Sequence, residues 1–376
     1  MEPKQIGIIG AGPAGAWLAA RLAQAGFKVL LFDHRAPWNK PCAGGLDPLL
    51  WKKFALLEPL RKECLANARA RLITINRDVI DVELNPPICT LPRKRLSQFL
   101  LKLAQSAGAI FSPSKITGFA AKAGGFELEY SAGQKVLVDF LVGADGAASA
   151  VRNRFCPAWQ KQDYCVTLSL SVPVADLPFT LQFVPGMDGY AWIFPARGQS
   201  SIGVGTRASS CKAENLYGYL EVLIDQTPGL AGIKSRLRED GKKWLIPALR
   251  FSTLKKQKVV GENWALAGDA SGAAHAASGE GVYYSFETAE LLAQALIDRE
   301  PLRYQKAWWQ MCRQELAGPA LWSSLFFNQR AQRVLAGRLR KSPTARRVAS
   351  ELVSCARPSR ARLLGLLVKM FFDGSD

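Results

Sequence analysis

At 376 residues, with 48% hydrophobic and 21% charged side chains, the chain can bury a large core and has neither a disordered nor a collagen-like composition. Eight cysteines with no C-x-x-C pair, and only two histidines, His34 and His275, argue against a disulfide framework, a zinc site or a histidine-built metal centre. The net charge of +18 invites an acidic partner, yet no apolar run reaches the roughly 18 residues that a membrane-spanning helix needs.

The chain opens MEPKQIGIIGAGPAG, too quickly structured for a signal or transit peptide, so a cytoplasmic protein is expected. Ile6 to Ile9 read as a strand, Gly10-Ala11-Gly12-Pro13-Ala14-Gly15 as a turn, and Trp17 to Ala25 as a helix closed by Gly26. Gly10 permits the tight turn, Gly12 lets backbone approach a pyrophosphate, and Gly15 allows close packing of helix on strand; the helix N-terminus then faces the phosphate charge. A second strand, Lys28 to Phe32, ends in Asp33, placed to accept hydrogen bonds from a ribose. This pattern specifies a dinucleotide and leaves its identity open.

Two later segments repeat one theme. Asp139 to Ala144 is a buried strand followed by Asp145-Gly146, and Asn263 to Ala267 is a strand followed by Gly268-Asp269. Each sets an Asp beside glycine at a strand's carboxyl end, where a cofactor lying across a sheet edge can be held through its hydroxyls. Between them, stretches such as RLITINRDVIDVEL and VTLSLSVPV alternate as half-buried strands do. Tyr190, Trp192 and Phe194 fall on one face of a strand and would form an aromatic wall.

With these three segments in order, residues 5 to 300 resemble the flavoprotein superfamily of aromatic hydroxylases, geranylgeranyl reductases and flavin halogenases. The resemblance implies FAD, with Asp269 at the ribityl chain and pyrophosphate, and Asp145 and Gly146 framing the flavin. Arg93, in PRKRLSQFL, fits the family's flavin-contacting arginine, although Ser97 stands where an Asp is usual. Gly279-Glu280-Gly281, before a helix from Val282 to Leu296, matches the turn that meets the pyrimidine end of the flavin. Lys40-Pro41-Cys42-Ala43-Gly44-Gly45-Leu46 looks like the P-C-x-G-G loop of geranylgeranyl reductases, and Tyr190-Ala191-Trp192-Ile193-Phe194-Pro195 resembles their Y-x-W-x-F-P strand facing the substrate. Ala276 departs from the family's usual proline; its neighbour His275 is one candidate proton donor, and Cys42 is another candidate, either donating a proton or forming part of the cavity wall.

The expected fold is α/β: a Rossmann-like FAD-binding domain (1–70, 92–156, 258–300) interleaved with an antiparallel substrate domain (71–91, 157–257), then C-terminal helices (301–376). The expected reaction is reduction of carbon–carbon double bonds in a prenyl or other apolar substrate. The alternative is a monooxygenase or halogenase-like enzyme working through a C4a-flavin peroxide on an aromatic substrate, including a protein tryptophan. No second G-x-G-x-x-G unit is present, so NAD(P)H or another reductant would act as a transient donor. Asn328 to Asp376 hold eleven Lys or Arg against three acids in an alternating basic and apolar pattern, which suits a membrane surface on the inner face as well as a solvated helical tail. Nucleic acid ranks last as a partner, because no binding motif accompanies the charge.

Overall fold

The computed structural model describes residues 4–131, 133–212 and 214–354. It divides into two compact units, the first made of residues up to Lys40, Arg93–Cys165 and Leu245–Leu321, and the second of Pro41–Pro92, Val166–Trp244 and the residues from Trp322 on. The division places residues 41–70 in the second unit, whereas the sequence reading keeps them with the cofactor domain.

The first unit is built on a five-stranded parallel sheet in the order 264–266, 140–143, 5–9, 28–32, 110–112. Strand β1 (Gln5–Ile9) lies between Lys28–Phe32 (β2) and Phe140–Gly143, and Ile9 pairs with both Phe32 and Gly143. Gly143 in turn pairs with Leu266. That register brings the chain out of four strands along one carboxyl edge, where Gly10, Asp33, Asp145 and Gly268 follow within two residues of the paired positions. Strands Phe140–Gly143 and Trp264–Leu266 are buried at every residue, as expected of parallel strands covered on both faces.

Helix α1 spans Pro13–Gln24, starting four residues earlier than the sequence reading placed it. Pro13 occupies its first turn, where proline's missing N–H costs nothing and its fixed φ favours the helix. Helix Val282–Ile297 packs against α1 through a Trp17–Phe286 edge contact, with Trp17 Nε1 donating to Glu290 at 2.9 Å and Arg21 pairing with the same carboxylate at 3.0 Å.

A three-stranded antiparallel meander, Ile116–Lys122, Gly125–Tyr130 and Gln134–Val138, was not foreseen. Its Phe126, Leu128 and Val138 join Phe32, Leu141, Trp264 and Leu266 in one buried cluster. A Cβ on Gly7 would meet Leu128 and Val138 at 2.9 and 3.0 Å, so β1 accepts the meander only because it carries glycine there.

The second unit carries an eight-stranded sheet in the order 242–247, 164–172, 199–207, 189–196, 180–182, 65–73, 79–90, 45–46. Its pairings include antiparallel 189–196 with 199–207 and 65–73 with 79–90, and one parallel pair, 180–182 with 65–73. Alternate residues Ala191 and Ile193, with Ile202 and Val204, bury against Leu216, Leu220 and Leu223 of helix Asn215–Asp225. Helices Gln329–Lys341 and Pro343–Val353 cover another part of the unit, setting Leu339, Ala345 and Val348 on Leu72, Ile80, Val82 and Leu84. Each buried Leu, Ile or Val among these contributes about 1.5–3 kcal/mol.

Candidate functional site: a dinucleotide cradle

Every cofactor-facing residue expected from the sequence lies in the first unit. Gly10 takes φ +102°, and its amide donates to Phe32 O at 2.8 Å while Ala144 N closes on Ile9 O at 2.8 Å. A Cβ on Gly15 would lie 1.8 Å from Gly10 O, so helix and turn touch through backbone alone. Gly12 is different: no heavy atom lies within 4 Å of where its Cβ would be. It caps α1 without a side-chain hydrogen bond, and no acidic residue stands in the first turn. The amide end of α1, Ala14 included, is therefore left to an outside anion.

Asp33 is bound into the turn. Its Oδ2 accepts from Ala11 N at 2.9 Å and its Oδ1 from Arg35 N at 2.8 Å, which fixes the carboxylate and leaves one acceptor site on each oxygen for a sugar hydroxyl. Asp145 accepts from Ala150 N through Oδ2 at 2.7 Å, while Oδ1 is buried with no hydrogen-bond partner among the described residues. Burial pushes this carboxyl above its ordinary value, against donation from Ser149 and the neighbouring amides. Gly146 follows at φ +83° with open space beside it.

Behind them Arg152 is almost wholly buried, its guanidinium 3.6 Å from the Trp159 ring and Nη2 donating to Tyr164 Oη at 3.2 Å. Desolvation draws its pKa down, against the pull of Tyr164 and Asp145. Arg93 opens helix Arg93–Ser106, is 8% exposed, and buries Nε and Nη1 without a partner among the described residues. A buried guanidinium with free donors is costly unless a ligand completes it.

The Gly268–Asp269 turn is held from behind by side chains that the sequence reading missed. Thr288 Oγ1 accepts from Gly268 N at 2.9 Å, Tyr304 Oη donates to Leu266 O at 2.9 Å, and Trp308 Nε1 reaches Ser271 Oγ at 3.4 Å. Burial raises the Tyr304 phenol well above its ordinary value, so it stays a donor. Asp269 itself pairs with Lys40, Nζ to Oδ2, at 2.8 Å. The Gly279–Gly281 turn ends in Gly281, the uncapped start of helix Val282–Ile297, and a Cβ there would fall 2.9 Å from Asp269 Oδ1. Across the same turn His275 N donates to Glu280 O at 2.9 Å, and His275 Nδ1 accepts from Ser278 N at 3.1 Å.

In the second unit the Cys42 loop and the aromatic strand come together. Cys42 O accepts from Ser201 Oγ at 3.0 Å, and Trp192 Nε1 reaches the same hydroxyl at 3.3 Å. Gly44 N points at Cys42 Sγ, 3.4 Å away, and a Cβ on Gly45 would stand 2.9 Å from the Phe194 ring. Tyr190 and Trp192 make an edge contact at 6.1 Å, while Phe194 packs on Phe179 at 4.1 Å.

The open space at Gly12, the free donors of Arg93 and the orphaned Asp145 oxygen fit a dinucleotide stretched along the strand edge, and the comparison of sequences says which one. A family model described as FAD binding domain matches residues 4–216. The chain belongs to this FAD-binding oxidoreductase family. Among similar flavoproteins, menaquinone reductase of Mycobacterium tuberculosis is 30% identical over 328 residues, covering 80% of this chain and 78% of the relative. Geranylgeranyl diphosphate reductase of Rhodobacter capsulatus is 28% identical over 313 residues, covering 77% and 73%. A geranylgeranyl bacteriochlorophyll reductase-like protein of Thermoplasma acidophilum shares the flavoprotein fold at a TM-score of 0.73 and 18% identity, covering 97% of this chain and 98% of the other.

Proposed function

We propose that the protein is an FAD-dependent reductase of carbon–carbon double bonds in a prenyl or similarly apolar substrate. The observation that carries this reading is the coupling of the Cys42 loop to the aromatic strand: Ser201 Oγ bridges Cys42 O and Trp192 Nε1, and the Phe194 ring stands against Gly45. The names of the relatives, reductases of geranylgeranyl diphosphate and of menaquinone, support it by pointing to isoprenoid chemistry. Likeness of fold at 18% identity supports no choice of reaction.

Bound FAD would supply the hydride, each double bond taking it at one carbon and a proton at the other, with NAD(P)H or another reductant as the electron donor. Gly10, Gly12, Ala14 and Gly15 would hold the pyrophosphate, Asp33 the ribose, Asp269 the ribityl hydroxyls, and Arg93, Asp145, Gly146 and the Gly279–Glu280–Gly281 turn the flavin end. Tyr190, Trp192 and Phe194 with Gly44 and Gly45 would orient the alkene and exclude water. Cys42 and His275 are the candidates for the proton.

An apolar substrate has to be drawn from lipid. Among the described residues, helices Gln329–Lys341 and Pro343–Val353 carry Arg330, Arg333, Arg338, Arg340, Lys341, Arg346 and Arg347 against Glu351. We assign this basic surface to an anionic membrane face; no described helix is long and apolar enough to cross a membrane. The segment RARLLGLLVKMFF lies outside the described residues.

The test is anaerobic incubation of the reduced protein with isoprenoid lipids, followed by mass spectrometry. Products gaining two hydrogens per reduced bond are expected; products that gain only oxygen, once air is admitted, would overturn the reading in favour of an oxygenase.

A further inference from the structure

Lys40 pairs with Asp269 of the Gly268–Asp269 turn, and nothing in its sequence position points there: 229 residues separate the two. The pair is 2.8 Å long, and its side chains are only 21% and 11% exposed, so salt screens it weakly. Its surroundings are acidic by design. Gly268 presses on α1, where its Cβ would fall 2.8 Å from Ala14 Cβ. Asp269 thus sits beside the same helix end that receives the cofactor's doubly charged pyrophosphate. Asp145 follows the strand that neighbours 264–266, and Asp33 follows another strand of the same sheet edge. A carboxylate and a pyrophosphate brought together in a poorly hydrated cleft repel one another unless a cation stands between them.

We propose that Lys40 is a cofactor-positioning residue: its ammonium holds the Asp269 carboxylate in place as the acceptor for a cofactor hydroxyl and offsets the charge that Asp269 and the pyrophosphate bring to one helix end. Lys40 acts through Asp269 and has no part in hydride or proton transfer. The inference rests on FAD being the bound dinucleotide.

Apoprotein stripped of flavin is titrated with FAD, following the quenching of flavin fluorescence. Saturable binding by the unsubstituted protein tests the FAD reading itself, and its absence would refute that reading and this inference with it. K40M is expected to weaken FAD about tenfold or more, and K40R to restore most of the loss, because a cation at this site is what matters. In a D269N background, K40M should cost less than about threefold, since its partner charge is already gone. The melting temperature of the apoprotein should be unchanged by K40R and D269N. Unaltered FAD affinity in K40M would overturn the proposal. So would an equal loss in the D269N background, or a loss that K40R fails to repair.

Discussion

The Cα of Gly15 lies so close to Gly10 that a Cβ placed on it would stand 1.8 Å from the Gly10 carbonyl oxygen, while Gly12, in the same turn, has no heavy atom within 4 Å of its Cβ position. The two glycines of one motif therefore answer to different constraints, the first to the fold and the second to the ligand. G15A should destabilise the protein by about 1–3 kcal/mol or prevent folding. G12A should leave the melting temperature within the range of a neutral surface change, about 0.5 kcal/mol, yet weaken FAD by about tenfold or more. Thermal melts and FAD titrations of both variants check this; a G12A protein that binds FAD normally would remove the pyrophosphate from the α1 N-terminus.

Asp163 gives a pH signature. It is fully buried, and Arg250 donates to it from Nε at 3.1 Å and from its backbone amide at 3.1 Å. Burial alone would raise this carboxyl, but Arg250, Thr253 and the Gln160 amide outweigh it and hold the folded-state value below the ordinary one. A carboxyl depressed by folding stabilises above its unfolded pKa, about 3.9, and loses that contribution as pH falls through its lower folded value. D163N should therefore cost about 2 kcal/mol at neutral pH. The gap between wild type and D163N should close under strongly acidic conditions, and denaturant melts across that range measure it. A gap independent of pH would show that packing, not charge, sets the effect.

The basic helices predict a salt-sensitive affinity for lipid. Wild-type protein should co-sediment with vesicles rich in phosphatidylglycerol and leave phosphatidylcholine vesicles in solution. Reversing Arg330, Arg333 and Arg340 to Glu should reduce the bound fraction by about tenfold or more, at roughly 1 kcal/mol per charge near the surface. Arg346 is left alone because it donates to the carbonyls of Leu339 and Arg340, 2.9 Å away in each case. Binding to RNA with no preference for anionic vesicles would contradict the assignment.

Much of this site is written locally. The G-x-G-x-x-G turn, the Asp at the end of β2 and the two strand–Asp segments are short-range patterns, and parallel register gathers them on one edge because Ile9, Phe32, Gly143 and Leu266 pair across it. The aromatic alternation at Tyr190, Trp192 and Phe194 was equally legible, since a strand's period is 2. What escaped is long-range. Lys40 carries no local signal toward Asp269, and Thr288, Tyr304 and Trp308 sit on helices whose polar atoms look like ordinary core residues until the fold aims them at Gly268, Leu266 and Ser271. The 116–138 meander did leave a trace, in alternating FELEY and KVLV on either side of a glycine-containing turn, but its place as a separate sheet in the connection between strands 110–112 and 140–143 is a matter of topology that periodicity does not specify.

The central claim, hydride delivery from bound FAD to an alkene, is tested most directly by single-turnover reoxidation without oxygen. Protein whose flavin has been chemically reduced is mixed anaerobically with a polyprenyl lipid, and the return of the oxidised flavin spectrum is followed alongside the product. Reoxidation in step with one saturated bond per flavin is expected. A flavin that stays reduced with every isoprenoid offered, and reoxidises only when oxygen enters with transfer of oxygen to an aromatic substrate, would contradict it.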